Sequence, residues 1–158
     1  MSLKTEALQE IDSTRRFFAR TTRCLTEAEA GFRATAATMT VAQQVAHAAQ
    51  IVDWFREGAL EDRWDMDFEA ATKVTDAVTS LAEARLWFDN AWERIRTRIE
   101  ASTDAELESP MADNPILGIR RRYHVVEALA DHTGHHRGAL AVYARLAGKV
   151  PEMPYADD

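Results

Sequence analysis

Apolar residues recur at spacings of three and four along four segments of the chain, and nowhere does a period-two alternation persist. In the first segment Leu8, Ile11, Phe18, Thr22 and Leu25 share a face while Glu10, Arg16 and Arg20 fall elsewhere, which predicts an amphipathic helix over about 3–25. Thr40 followed by Gln43 has the spacing of a capping box. It opens a second helix whose stripe of Val41, Val45, Ala48, Ile51, Val52 and Phe55 should end near Gly58. The charged and aromatic run EDRWDMDFEAATKVTD breaks the pattern and is expected to be a long connection with room for a short turn of helix. Ser80 and Glu83 repeat the capping spacing before the cleanest stripe of the chain, Leu81, Ala84, Phe88, Trp92, Ile95 and Ile99, ending by about Ala101.

Residues 102–118 hold two prolines and a glycine among small polar residues, which predicts a second long connection. A last helix is expected over about 120–147, stopped by a left-handed Gly148 and by Pro151, with the tail KVPEMPYADD extended over the rest. The whole reads as one all-α domain over 1–158, a four-helix bundle with long connections between its second and third and its third and fourth helices. No repeat or low-complexity tract competes with that.

Composition narrows the function. At 158 residues with 46% hydrophobic and 28% charged side chains, the chain can bury a core without staples. A net charge of −7 without a Lys/Arg block makes nucleic acid an unexpected partner. The start, MSLKTEALQE, lacks an apolar signal region and no stretch suits a membrane span, so no membrane partner is expected and the expected location is the cytoplasm. The one cysteine, Cys24, reads as a small core residue.

The chemistry gathers at DHTGHHRGAL, 131–140, which holds three of the five histidines. His132 and His136 stand one turn apart, about 40° from each other on the wheel. The apolar set of that helix, Val125, Ala128, Leu129, Ala139, Tyr143 and Leu146, centres near His132, so the pair faces inward. Two imidazoles at this spacing are how one helix supplies two metal ligands. His47, flanking the second helix's stripe beside Gln44, Ile51 and Trp54, can reach the interior as a third. Three neutral imidazoles would leave a divalent ion with an open position, as in catalytic sites. The plainer alternative is a set of hydrogen-bonded core histidines in a structural bundle. His135 lies at the stripe's edge and is expected to be peripheral or exposed. No role falls to His124. Asp53, Glu127 and Asp131 point off the inward faces and Trp54 alone among the tryptophans is placed to line the site, so catalytic residues stay unassigned.

"VAQQVAHAAQIVDWF" and "HVVEALADHTGHHRGALAVYARLAGKVPEMPY" resemble the DinB-like family of bacterial four-helix proteins, also called DinB/YfiT-like, which is distinct from the translesion polymerase of similar name. The resemblance rests on His47, the His132 and His136 pair, the HRG at 136–138 and the Gly148–Pro154 tail. It implies that His47, His132 and His136 bind one divalent metal, that the protein is a homodimer, and that it acts on a small molecule as several relatives do, as a thiol-dependent transferase or isomerase with a low-molecular-weight thiol as cosubstrate. The open position on the metal makes thiol transfer or metal-assisted hydrolysis the expected reaction class. Ala139 departs from the family, where a glutamine commonly follows HRG. Imidazole donors without a carboxylate suit zinc or nickel and disfavour magnesium or calcium. The alternative function is a metal- or small-ligand-binding, stress-related bundle without turnover.

Overall fold

The spacings of three and four become six α-helices in the computed structural model, which describes residues 2–155. They are α1 (Leu3–Thr22), α2 (Val41–Glu61), α3 (Phe68–Asp76), α4 (Leu81–Glu100), α5 (Asp104–Glu108) and α6 (His124–Leu146). A 3-10 turn at Glu27–Glu29 precedes α2. Among the described residues there is no strand, only a single bridge between Pro110 and Arg121.

Capping decides where these helices begin. Thr40 forms the expected reciprocal box, its hydroxyl accepting from Gln43 N (3.2 Å) while Gln43 Oε1 accepts from Thr40 N (2.8 Å). Ser80 accepts from Glu83 N without the reciprocal bond of a box, and the next free amides are met from elsewhere. The Glu27 carboxylate reaches across to accept from Leu81 N and Ala82 N, setting a negative charge on the positive end of α4. Asp104 does the same for α1, accepting from Leu3 N and Lys4 N.

Several boundaries differ from the sequence expectation: α1 ends at Thr22 and not near Leu25, and the run expected to be a connection carries the nine-residue α3. The second helix runs through Gly58 to Glu61 and stops at Asp62, whose φ of 55° is left-handed. Gly58 serves packing instead, since a Cβ there would stand 2.3 Å from the Trp64 ring. The last helix starts at His124, not near Arg120, because the preceding chain is held in a return: Met111 N donates to Arg120 O, and Arg122 N to Ser109 O. Arg122 then donates to Ala59 O (2.6 Å) and pairs with Asp62, while Arg121 pairs with Glu108. The basic run thus meets acidic partners outside the helix. Gly148, with φ 76°, supplies the predicted stop.

The four long helices close a ring: α2 packs on α4 and α6, and α1 packs on α6 and α4. Their stripes meet in one core that includes Ile11, Phe18, Val52, Trp92, Leu129 and Leu140. Every residue of the predicted α4 stripe is buried. On α6 the stripe is rotated: Leu146 is 60% exposed, while Val126, Thr133, His136, Leu140 and Ala144 are buried, so His136 and not His132 sits deepest. Cys24 is half-buried against the core, as expected of a structural residue. The tail crosses back over α1 as far as it is described, with Pro151 buried, Glu152 bound by Arg20 and Arg23, and the Tyr155 ring edge-on to Phe17. The last residues of the expected tail lie outside the described residues. No described helix is long and apolar enough to cross a membrane.

Candidate metal centre

Where α2 crosses α6, one histidine of the first meets two of the second. The capping box fixes the start of α2 and so sets Gln44 and His47 on the side that faces α6. On α6 the i, i+4 spacing puts His132 and His136 one above the other. The ring centroids lie 5.3 Å (His47 to His132), 5.0 Å (His47 to His136) and 4.6 Å (His132 to His136) apart. One nitrogen from each ring falls within 4.8 Å of the others, within reach of one shared ion. The three histidines singled out in the sequence are therefore brought together.

The surroundings keep the rings neutral. Desolvation pushes His136 down to about 3 and His132 to about 4, with the neighbouring imidazoles adding to both shifts. His47 is lowered for the same first reason, partly offset by the Gln50 side chain. A neutral imidazole has one N–H and one lone pair, so the partner of one nitrogen decides what the other can do. His136 Nδ1 is hydrogen-bonded to Gln44 Oε1. An amide oxygen only accepts, so His136 carries its proton on Nδ1 and Nε2 holds the lone pair. His132 Nδ1 is buried with no hydrogen-bond partner. Such an orphan costs on the order of 1–3 kcal/mol unless something satisfies the ring, and an ion taking up a lone pair in this cluster fits that need. Three neutral nitrogen donors and an oriented tautomer fit a divalent metal.

The remaining candidates take the places expected of them. His135 is exposed and stands edge-on to His136 at 5.0 Å. His124, the first residue of α6, pairs with Glu127. Asp53 is held by Arg94 (2.7 Å) and the Trp87 indole (3.0 Å), and Asp131 is exposed, so no carboxylate joins the cluster among the described residues.

Two features went unassigned in the sequence. Gln44 stands beside His47 in the sequence with no role of its own, although a polar residue among Val41, Val45 and Ala48 of an inward stripe is a signal. The other is a cavity of about 120 Å³ bordered by His47, Ile51 and Trp54 of α2 and by Phe68, Ala71 and Thr72 of α3. Its outer wall lies in the run expected to be mostly connection. A helix was signalled there by Asp67, which accepts from Ala70 N as an N-cap. A larger cavity of about 330 Å³, bordered by Arg16, Arg85 and Phe88 of α1 and α4, holds none of the histidines.

Comparison with known proteins bears on the family and the fold. The family model of the DinB superfamily matches residues 10–140. A crystal structure of a DinB-like protein from Bacillus cereus ATCC 10987 superposes with a TM-score of 0.62 over 94% of this chain and 91% of that one, at 20% identity. That likeness is one of fold. No curated protein matches the chain.

Proposed function

The chain belongs to the DinB superfamily, and from that premise we propose that it is a divalent-metal-dependent enzyme acting on a small molecule by thiol transfer or metal-assisted hydrolysis. The observation that carries this reading is the convergence of His47, His132 and His136, with nitrogens within 4.8 Å of one another and His136 locked in one tautomer by Gln44. These three side chains would hold the metal. When bound, it supplies Lewis acidity enough to make a thiol or water nucleophilic near neutral pH. The chain's own part is to keep three rings unprotonated by burial, to aim the His136 lone pair through Gln44, and to shield one side of the cluster with Trp54 and Ile51. Donors of borderline softness with no carboxylate favour zinc or nickel. A low-molecular-weight thiol is the cosubstrate this reading expects. It also takes the protein to be a cytoplasmic homodimer with neither nucleic acid nor membrane as partner.

Elemental analysis after supplementation with zinc or nickel at neutral pH, joined to turnover of electrophiles with a panel of small thiols, tests the proposal. One ion per chain and thiol-dependent turnover are expected, both lost in His132→Ala. A protein that takes up no divalent metal, or a variant that keeps full activity, overturns it. The absence of a carboxylate from the cluster favours one second reading, a bundle that binds metal or a small ligand without turnover. Stable metal uptake with no reaction across thiol and hydrolytic panels would select that reading.

A further inference from the structure

The cavity between α2 and α3 has His47 in its wall, so whatever occupies it lies against the histidine cluster. Its body is apolar, made by Met39, Ile51, Trp54 and Phe68, and at about 120 Å³ it approaches the size of an apolar cavity that holds a benzene ring. Two hydrogen bonds fix its outer wall to α2: Gln50 Nε2 donates to Ala71 O (2.7 Å), and Trp54 Nε1 donates to Asp65 O (2.6 Å). The second bond also orients the indole. Trp54 is further wedged by Trp64, centroids 4.7 Å apart, which in turn lies over the bare backbone of Gly58. The charged part of the lining is of one sign. Asp65 and Asp67 border the cavity, each using one carboxylate oxygen on a local backbone N–H, and no Lys or Arg borders it.

We propose that this cavity is the substrate subsite of the histidine centre and takes the single-ring or branched apolar end of a neutral or cationic molecule, excluding anionic ones of the same shape. Trp54 and Phe68 receive the apolar end. Asp65 and Asp67, both exposed at the rim of the cavity, set the charge preference, because a carboxylate or phosphate held beside them would meet like charge. The role in turnover rests on the metal-centre reading above, but the occupancy of the cavity does not.

Binding to the metal-free protein therefore separates the two. Benzylammonium, benzyl alcohol and benzoate share one ring and differ in charge. Titrated in turn, they are followed by the NMR shift of the Trp54 indole N–H. Benzylammonium and benzyl alcohol should shift that resonance saturably, with benzoate at least tenfold weaker than benzylammonium. Asp65→Asn with Asp67→Asn keeps the α3 cap and should reduce the benzylammonium-to-benzoate ratio to within about threefold, leaving benzyl alcohol unchanged. Thr72→Phe, at an exposed position bordering the cavity, should weaken benzyl alcohol and benzylammonium at least tenfold while the fold is retained. Benzoate binding as tightly as benzylammonium, no binding of any probe, or full binding in Thr72→Phe overturns the proposal whether or not the protein takes up metal.

Discussion

Replacing Gln44 by leucine asks whether the buried amide exists to aim His136. Gln44 is only 8% exposed, and its amide oxygen accepts from His136 Nδ1 inside the bundle. Leucine has similar bulk and no acceptor, so the Nδ1–H is left buried and unpaired at a cost of about 1–3 kcal/mol. The ring is then free to move its proton or to rotate, and the Nε2 lone pair loses its fixed direction. Loss of a partner of this kind weakens metal affinity by about 10–100-fold, which is about 1.4–2.7 kcal/mol. Competition against a chromophoric chelator at pH 7.5 measures it directly. Gln44→Glu is the discriminating control: a carboxylate accepts the same proton more strongly, so it should hold affinity near or above that of the original protein even though burying a charge lowers thermal stability. Should Gln44→Leu bind zinc within threefold of the unaltered protein, Gln44 is a packing residue and the orientation argument is wrong.

Three further outcomes follow from the same geometry. In the metal-free protein His132→Leu should raise the unfolding free energy by about 1 kcal/mol, because it removes a ring whose Nδ1 is buried without a partner; a loss of stability in urea denaturation would show that the ring is satisfied after all. The folded state holds His132 at about 4 and His136 at about 3, below the unfolded value near 6.5. Below pH 6.5 the unfolded chain therefore binds protons that the folded one refuses. Stability is full above that pH and falls on acidification toward 4, by roughly 2–4 kcal/mol between pH 7 and pH 5 once solvent access to His132 is discounted. Urea titrations of metal-free protein that are flat over this range, or that slope equally in a His132→Leu, His136→Leu variant, would contradict it. Gly58→Ala forces a Cβ to within 2.3 Å of the Trp64 ring and should cost about 1–3 kcal/mol in thermal unfolding while shifting the Trp54 indole resonance; an unchanged indole spectrum would separate Gly58 from the cavity wall.

What was legible in the sequence lies within single elements. The Thr40 box, the α4 stripe and the i, i+4 histidine pair each fit inside a few turns of one helix, where the 3.6-residue period speaks directly. The parts that escaped depend on groups far apart in the chain. Gln44 and His136 are 92 residues apart, and no local pattern links an amide to an imidazole at that distance. Glu27 completes the cap of α4 from 54 residues upstream, so the Ser80 signal was right about the position and blind to half of its chemistry. The α6 stripe is centred to one side because it leaves out Val126, Leu140 and Ala144, which are buried, and counts Leu146, which is 60% exposed. The start of α6 was misplaced for a related reason: Arg122 is drawn to Ala59 O and Asp62, partners invisible from its own neighbourhood.

The packing divides the centre into a stiff side and a yielding one. Both helices that carry the histidines belong to the ring: α2 lies against α4 and α6, and α6 against α1 and α2. Moving either helix by an ångström would disturb buried residues such as Val45, Leu129 and Leu140 at interior density. The opposite wall of the cavity is different. Of its residues, α3 buries only Thr75, and it packs mainly on α2, through contacts that include the Gln50 bond to Ala71. Substitutions along the exposed part of α3 can therefore reshape what the cavity accepts at little cost in stability and without altering how the rings are held. Metal affinity should then vary with changes at Gln44 and the core beneath it, and ligand preference with changes at Asp65, Asp67, Phe68 and Thr72. A double-mutant cycle between Gln44→Leu and Thr72→Phe should show the two effects adding within about 0.5 kcal/mol. Strong coupling between them would mean that α3 and the histidine cluster move as one body.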